Sequence, residues 1–147
     1  MPYFAAVFAR TPQGWVGAEA TLDEAEVVDD ITDLMREVAV ETLGDPVLLL
    51  LEENDEWFAV ARIDGEGEGD ARAFLSTARD EGLAGLFHQL IGDTPDSDAA
   101  GDPTLLSDLG VNADHLTDLG ERALPGDALL TIAEHTGFGE EFDGLRV

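Results

Sequence analysis

The sequence predicts an α+β fold: a mostly antiparallel sheet of about five strands with packed helices, followed by a small C-terminal helical region. Three observations carry this. The aliphatic run Val47 to Leu51 is too short for a stable helix and is bounded by Pro46 and by acids, which suits a central strand buried on both faces. Short apolar stretches on either side of it are punctuated by turn residues, the spacing expected of strands joined by hairpins. Between the first hairpin and the central run lies a segment whose apolar residues recur at steps of three and four, the period of an amphipathic helix.

Taken in order, Tyr3 to Ala9 alternates small and large apolar groups, and Thr11-Pro12-Gln13-Gly14 places Pro and Gly where a type I turn accepts them. Trp15 to Ala18 then returns as the second strand of a hairpin. Thr21-Leu22-Asp23-Glu24 fits a capping box, in which the Thr hydroxyl and the Glu carboxylate satisfy reciprocal backbone donors. The helix behind it carries Val27, Val28, Ile31, Leu34, Met35 and Val38 on one stripe; Asp29 is an alternative start, and Gly44 and Pro46 stop it. After Val47 to Leu51, Asn54-Asp55 offers residues that tolerate a left-handed turn, and Trp57 to Ile63 returns as a partner strand. Gly65-Glu66-Gly67-Glu68-Gly69 connects to a further strand at Ala71 to Leu75. Ser76 or Thr77 then caps a helix bearing Leu83, Leu86, Phe87, Leu90 and Ile91, ended by Gly92.

This order divides the chain into an α+β domain over 1–91, an acidic linker over 92–103 and a short helical region over 104–147. The linker contains Asp93 to Asp102, a run of small, acidic, turn-forming residues. In the last region Leu105 to Leu109 ends at Gly110, Asn112 caps a segment with Leu116 and Leu119, and Asp127 caps one with Leu130, Ile132 and Ala133 that ends at Gly137. A piece this short buries too little surface to fold alone, so it is expected to dock on the first domain or on a partner.

Composition narrows the function. Seven basic residues, all arginine, stand against 33 acidic ones, a formal net charge of −26. Such a field repels phosphate backbones, whose affinity for proteins rests on Lys and Arg, so direct nucleic-acid binding is not expected. The absence of cysteine removes disulfides, thiolate metal sites and a cysteine nucleophile together. No stretch approaches the roughly 18 apolar residues of a membrane span, and the start MPYFAAVFAR lacks the basic residues and cleavage site of a signal peptide, so a cytoplasmic protein is expected.

Chemistry-bearing patterns are sparse. His88, His115 and His135 occur in no metal-ligand spacing, and the His-x-Glu with Pro-Cys-x-x-Cys of a zinc deaminase is missing. The acids of Asp96 to Asp102 do not meet the positions of a calcium loop. The glycines of residues 65–69 alternate with Glu66 and Glu68, which would repel a phosphate. The expectation is therefore no catalytic residue, no metal and no cofactor. What remains is the placement of acids. Asp23, Glu24, Glu26, Asp29, Asp30 and Asp33 crowd one helix, and Glu52, Glu53, Asp55 and Glu56 crowd one hairpin tip beside Trp57. These residues form the candidate partner-binding set: either a solvated surface that keeps the protein soluble, or the electrostatic complement of a basic partner.

Several segments together resemble the tRNA adenosine deaminase-associated proteins of GC-rich bacteria. They are Pro2-Tyr3-Phe4-Ala5-Ala6, Arg10-Thr11 with Gly14-Trp15, the block Leu48-Leu49-Leu50-Leu51-Glu52-Glu53-Asn54-Asp55-Glu56-Trp57-Phe58-Ala59, and Leu106-Ser107-Asp108-Leu109-Gly110. The likeness covers most of the chain, the linker differing in length and composition. It implies a protein encoded beside a tRNA-specific adenosine deaminase, with no catalytic motif to transfer. The expected function is then a non-catalytic accessory or regulatory protein of that deaminase, or of another basic protein, binding by acidic complementarity. Two alternatives stand beside it: a small-molecule-binding or enzymatic domain with convergent carboxylates, and a self-associating module that forms a homo-oligomer.

Overall fold

The computed structural model describes residues 3–19, 28–42, 47–53, 57–63, 72–76, 100–101, 106–122 and 125–146. Strands β1 (Tyr3–Thr11), β2 (Gly14–Glu19), β3 (Val47–Glu53), β4 (Trp57–Ile63), β5 (Arg72–Leu75) and the two-residue β6 (Ala100–Gly101) form one sheet in the order β2-β1-β3-β4-β5-β6. Every neighbouring pair is antiparallel. Because β2 and β3 both run against β1, they are parallel to each other, and helix α1 (Val28–Thr42) makes the crossover between them, lying against β1 and β3.

The expected α+β architecture is present, with strands close to where the apolar pattern put them. The chain reverses through Pro12 and Gln13 alone, with Thr11 opposite Gly14. Thr11 stabilises this turn: its hydroxyl donates to the Gly14 carbonyl at 2.7 Å and accepts from the Gln13 N–H at 3.2 Å. β3 runs two residues beyond the aliphatic run, because Glu52 and Glu53 still pair with Phe58 and Trp57 on one side and with Phe4 and Tyr3 on the other. At the end of β5 the Ser76 hydroxyl accepts from the Phe58 N–H at 2.9 Å, extending the ladder to β4. The capping box at Thr21 to Glu24, the turn at Asn54-Asp55, the glycine-rich connection and the helix after Thr77 lie outside the described residues.

Alternation then builds two cores. Odd-numbered positions (Ala5, Val7, Ala9, Val47, Leu49, Leu51, Trp57, Ala59, Ala61, Ile63, Ala73 and Leu75) face α1, which contributes Ile31, Met35 and Ala39. Those three helical residues sit four apart, flanked by the half-buried Leu34 and Val38, so one stripe of α1 closes this face. Even-numbered positions (Ala6, Phe8, Leu48, Leu50, Phe58, Val60 and Phe74) face the opposite way and meet the C-terminal segments. All seven residues of β3 are buried, which explains why its sequence is a continuous run with no alternation.

The C-terminal segments are a 3₁₀ turn (Ser107–Leu109), α2 (Ala113–Arg122), α3 (Pro125–Thr136) and α4 (Gly139–Arg146). Gly110 ends the turn in the left-handed region at φ 109°, and Gly137 ends α3 at φ 115°. Asn112 caps α2 as expected, its side-chain oxygen accepting from the His115 N–H at 2.8 Å. α3 begins two residues before the expected cap: Pro125 takes the first helical position, where its missing N–H costs nothing, and Asp127 falls inside the first turn. α4 has no counterpart in the sequence reading. Phe142, 1% exposed and packed edge-on to Phe4, anchors it. Phe138, just ahead of it, stacks on Phe8 at a centroid distance of 4.3 Å and meets Trp15 at 4.8 Å. The aromatic residues Trp15, Phe58 and Phe74 are thus covered by this layer. β6 lies within the stretch expected to be linker, where Gly101 and Ala100 pair with Phe74 and Leu75.

Candidate partner-binding surface

The apolar stripe that seats α1 on the sheet forces its remaining positions outward. Asp29, Asp30, Asp33, Glu37 and Glu41 are all exposed, interrupted by Arg36 and by Val40, which is 69% exposed. Asp29 and Asp30 occupy the first turn of the described helix, where backbone N–H groups favour negative charge. Arg36 pairs with Asp33 at 3.7 Å and donates to the Thr32 hydroxyl at 3.4 Å. Within the described helix one guanidinium stands among five carboxylates, which biases the face toward negative potential. Glu37 and Glu41 were not among the candidate residues, although the step of four from Asp33 carries both onto its face.

The hairpin-tip residues are placed differently. Trp57 is 1% exposed and fills the core beneath α1; it presents no surface to a partner. Glu52 and Glu53 are 6% and 8% exposed, held inside the sheet by the strand pairing that carries β3 past its aliphatic run. One oxygen of Glu53 is buried without a hydrogen-bond partner. Asp23, Glu24, Glu26, Asp55 and Glu56 lie outside the described residues. The structure therefore brings Asp29, Asp30 and Asp33 together on one exposed face and separates Glu52, Glu53 and Trp57 from it.

A second charged arrangement joins the layers. Arg62 on β4, with a side chain 7% exposed, donates through Nη1 and Nη2 to the two Asp108 carboxylate oxygens at 2.6 and 2.8 Å. This is the bidentate geometry in which an Arg–carboxylate pair is strongest. The hydrogen bonding from Arg62 holds the Asp108 carboxyl below its ordinary value of 3.8; the charges of Arg62 and Arg72 act in the same direction. Asp108 belongs to the Leu106-Ser107-Asp108-Leu109-Gly110 segment, in which Leu106 and Leu109 are buried. That segment is thus a clasp fastening the C-terminal layer to the sheet.

His115 on α2 and His135 on α3 meet edge to face at a centroid distance of 4.8 Å. Among the described residues no three His, Cys, Asp or Glu side chains are grouped to hold a metal ion. His88 lies outside them. No described helix is long and apolar enough to cross a membrane.

No curated protein matches the chain, and no solved structure does. Residues 3–139, which include the first core, all of the second but Phe142, the α1 face and the Asp108 clasp, match one family, and the chain belongs to the Rv3753c-like tRNA adenosine deaminase-associated proteins.

Proposed function

We propose that this chain is a non-catalytic accessory protein of a tRNA adenosine deaminase, contacting the enzyme through the acidic outer face of α1. The observation that carries the reading is the convergence of Asp29, Asp30, Asp33, Glu37 and Glu41 on one exposed helical face in a chain of net charge −26. An enzyme that holds tRNA must present Lys and Arg to its phosphates, and an acidic face is complementary to such a surface. Val40, exposed among the acids toward the C-terminal end of that face, supplies an apolar contact. Membership of a family described as deaminase-associated supports this choice of partner.

The test is size-exclusion chromatography of the purified chain with the tRNA adenosine deaminase of the same organism, at low and at moderate salt. Co-elution that is stronger at low salt, with a change in deaminase activity on tRNA, is the expected result. Separate elution at both salt concentrations with unchanged activity overturns the proposal.

A further inference from the structure

Among the described residues the sheet ends on one side at β2, and no further strand pairs with that edge. Gly14 and every residue from Val16 to Glu19 are exposed, and only Trp15 is half-buried, beneath Phe138. Sheet edges in folded proteins are commonly guarded by lysine, proline, a bulge or a covering element, because their unpaired N–H and C=O groups recruit other strands. The stretch Gly14-Trp15-Val16-Gly17-Ala18 carries no charge and no proline. Its register with β1 is unbroken from Ala6–Glu19 to Thr11–Gly14.

That register also fixes which backbone groups point outward. A loop of only two residues makes Thr11 and Gly14 the hydrogen-bonded closing pair, and hydrogen-bonded and non-hydrogen-bonded pairs then alternate. Gly14, Val16 and Ala18 bond to β1, whereas Trp15, Gly17 and Glu19 turn their N–H and C=O groups to the free side.

The charge around this edge selects its occupant. α4 packs against β2 and carries Glu140, Glu141 and Asp143, with Arg146 as its last residue; together with Glu19 these acids give four carboxylates, against Arg146 and, on the neighbouring strand, Arg10. A second copy would bring the same carboxylates, and the same net charge of −26, to the contact. We propose that the β2 edge accepts an extended, positively charged segment of the deaminase, which adds a strand to the sheet through Trp15, Gly17 and Glu19 while its basic side chains meet Glu19, Glu140 and Asp143. The inference rests on the deaminase association proposed above and adds a second contact element to the α1 face.

The experiment measures the dissociation constant of the chain with the deaminase, and hydrogen exchange of the chain alone and in the complex. The variants are Gly17→Pro and Glu19→Pro. Each removes one outward N–H without removing a bond to β1, a context in which a strand accepts proline. Each is expected to weaken binding about tenfold, the loss of one hydrogen bond with its neighbouring contacts. In the wild-type complex the amides of Trp15, Gly17 and Glu19 become protected; this readout decides the matter even if a proline variant fails to fold. A wild-type complex with unprotected β2 amides, undiminished in the folded variants, overturns the edge assignment and leaves the association standing. Failure of the wild type to bind the deaminase overturns both. Protection of the same amides in the chain alone, with a dimeric mass, assigns the edge to a second copy and overturns the basic occupant.

Discussion

Replacing Asp108 by alanine removes both carboxylate oxygens that Arg62 grips at 2.6 and 2.8 Å, while leaving the guanidinium in a position where its side chain is 7% exposed. Breaking a fully buried pair by removing one partner costs about 3–5 kcal/mol. Here the Asp108 side chain is 64% exposed, so water reaches the open end of the pair and replaces part of what is lost. Discounting for that screening leaves about 1–2 kcal/mol, or a fall in Tm of about 2–4 °C for each kcal/mol in a chain of this size. Urea unfolding followed by tryptophan fluorescence is the suitable assay, because Trp15 lies under the C-terminal layer and Trp57 under α1.

The pH dependence gives that prediction a sign. The Asp108 carboxyl is held below its ordinary value of 3.8 by the Arg62 hydrogen bonds, so its contribution is complete above that value and is lost as pH falls through the lower, folded one. The stability gap between wild type and Asp108→Ala should therefore be the same at about pH 7 and pH 5 and should shrink below about pH 4. Equal unfolding midpoints at neutral pH, or a gap that persists undiminished at the acid end, would refute the clasp.

Other substitutions test neighbouring parts of the account. Phe138→Ala empties a fully buried ring site between Phe8 and Trp15 and should cost about 3–5 kcal/mol, with a shift of the Trp15 emission. Gly110→Ala places a Cβ 2.5 Å from the His135 carbonyl oxygen at a φ of 109°, and should destabilise by more than about 1 kcal/mol in the same urea assay. Combined Asp33→Asn, Glu37→Gln and Glu41→Gln substitutions should leave the unfolding midpoint within about 0.5 kcal/mol of wild type, since all three side chains are exposed, while slowing association with the deaminase in stopped-flow mixing.

What the sequence disclosed was what local chemistry determines. Val47 to Leu51 declares a strand covered on both sides because no position in it needs to be polar, and both layers are indeed there. Asn112 was legible as a cap because the bond to the His115 N–H closes within one turn. α4 was not, because Gly139-Glu140-Glu141-Phe142-Asp143-Gly144-Leu145-Arg146 contains two glycines and its anchor is a ring contact with Phe4 across the fold. Asp29, Asp30 and Asp33 stand out in the sequence by crowding, whereas Glu37 and Glu41 join their face only through the helical step of four. Glu52, Glu53 and Trp57 look like a surface tip in the sequence, but burial at a strand end depends on what the rest of the chain lays over it. The Arg62–Asp108 clasp joins positions 46 residues apart and leaves no local mark.

We propose that acidity directs this chain to a deaminase. The most direct test of this is the dissociation constant of the two purified proteins at about 0.05 and about 0.3 M salt, conditions between which screening of exposed charges increases strongly. Measurable binding is expected at the lower concentration, weakened about tenfold or more at the higher, with a smaller salt dependence for the Asp33, Glu37 and Glu41 variant. No binding at low salt, or an affinity indifferent to both salt and these substitutions, would contradict it.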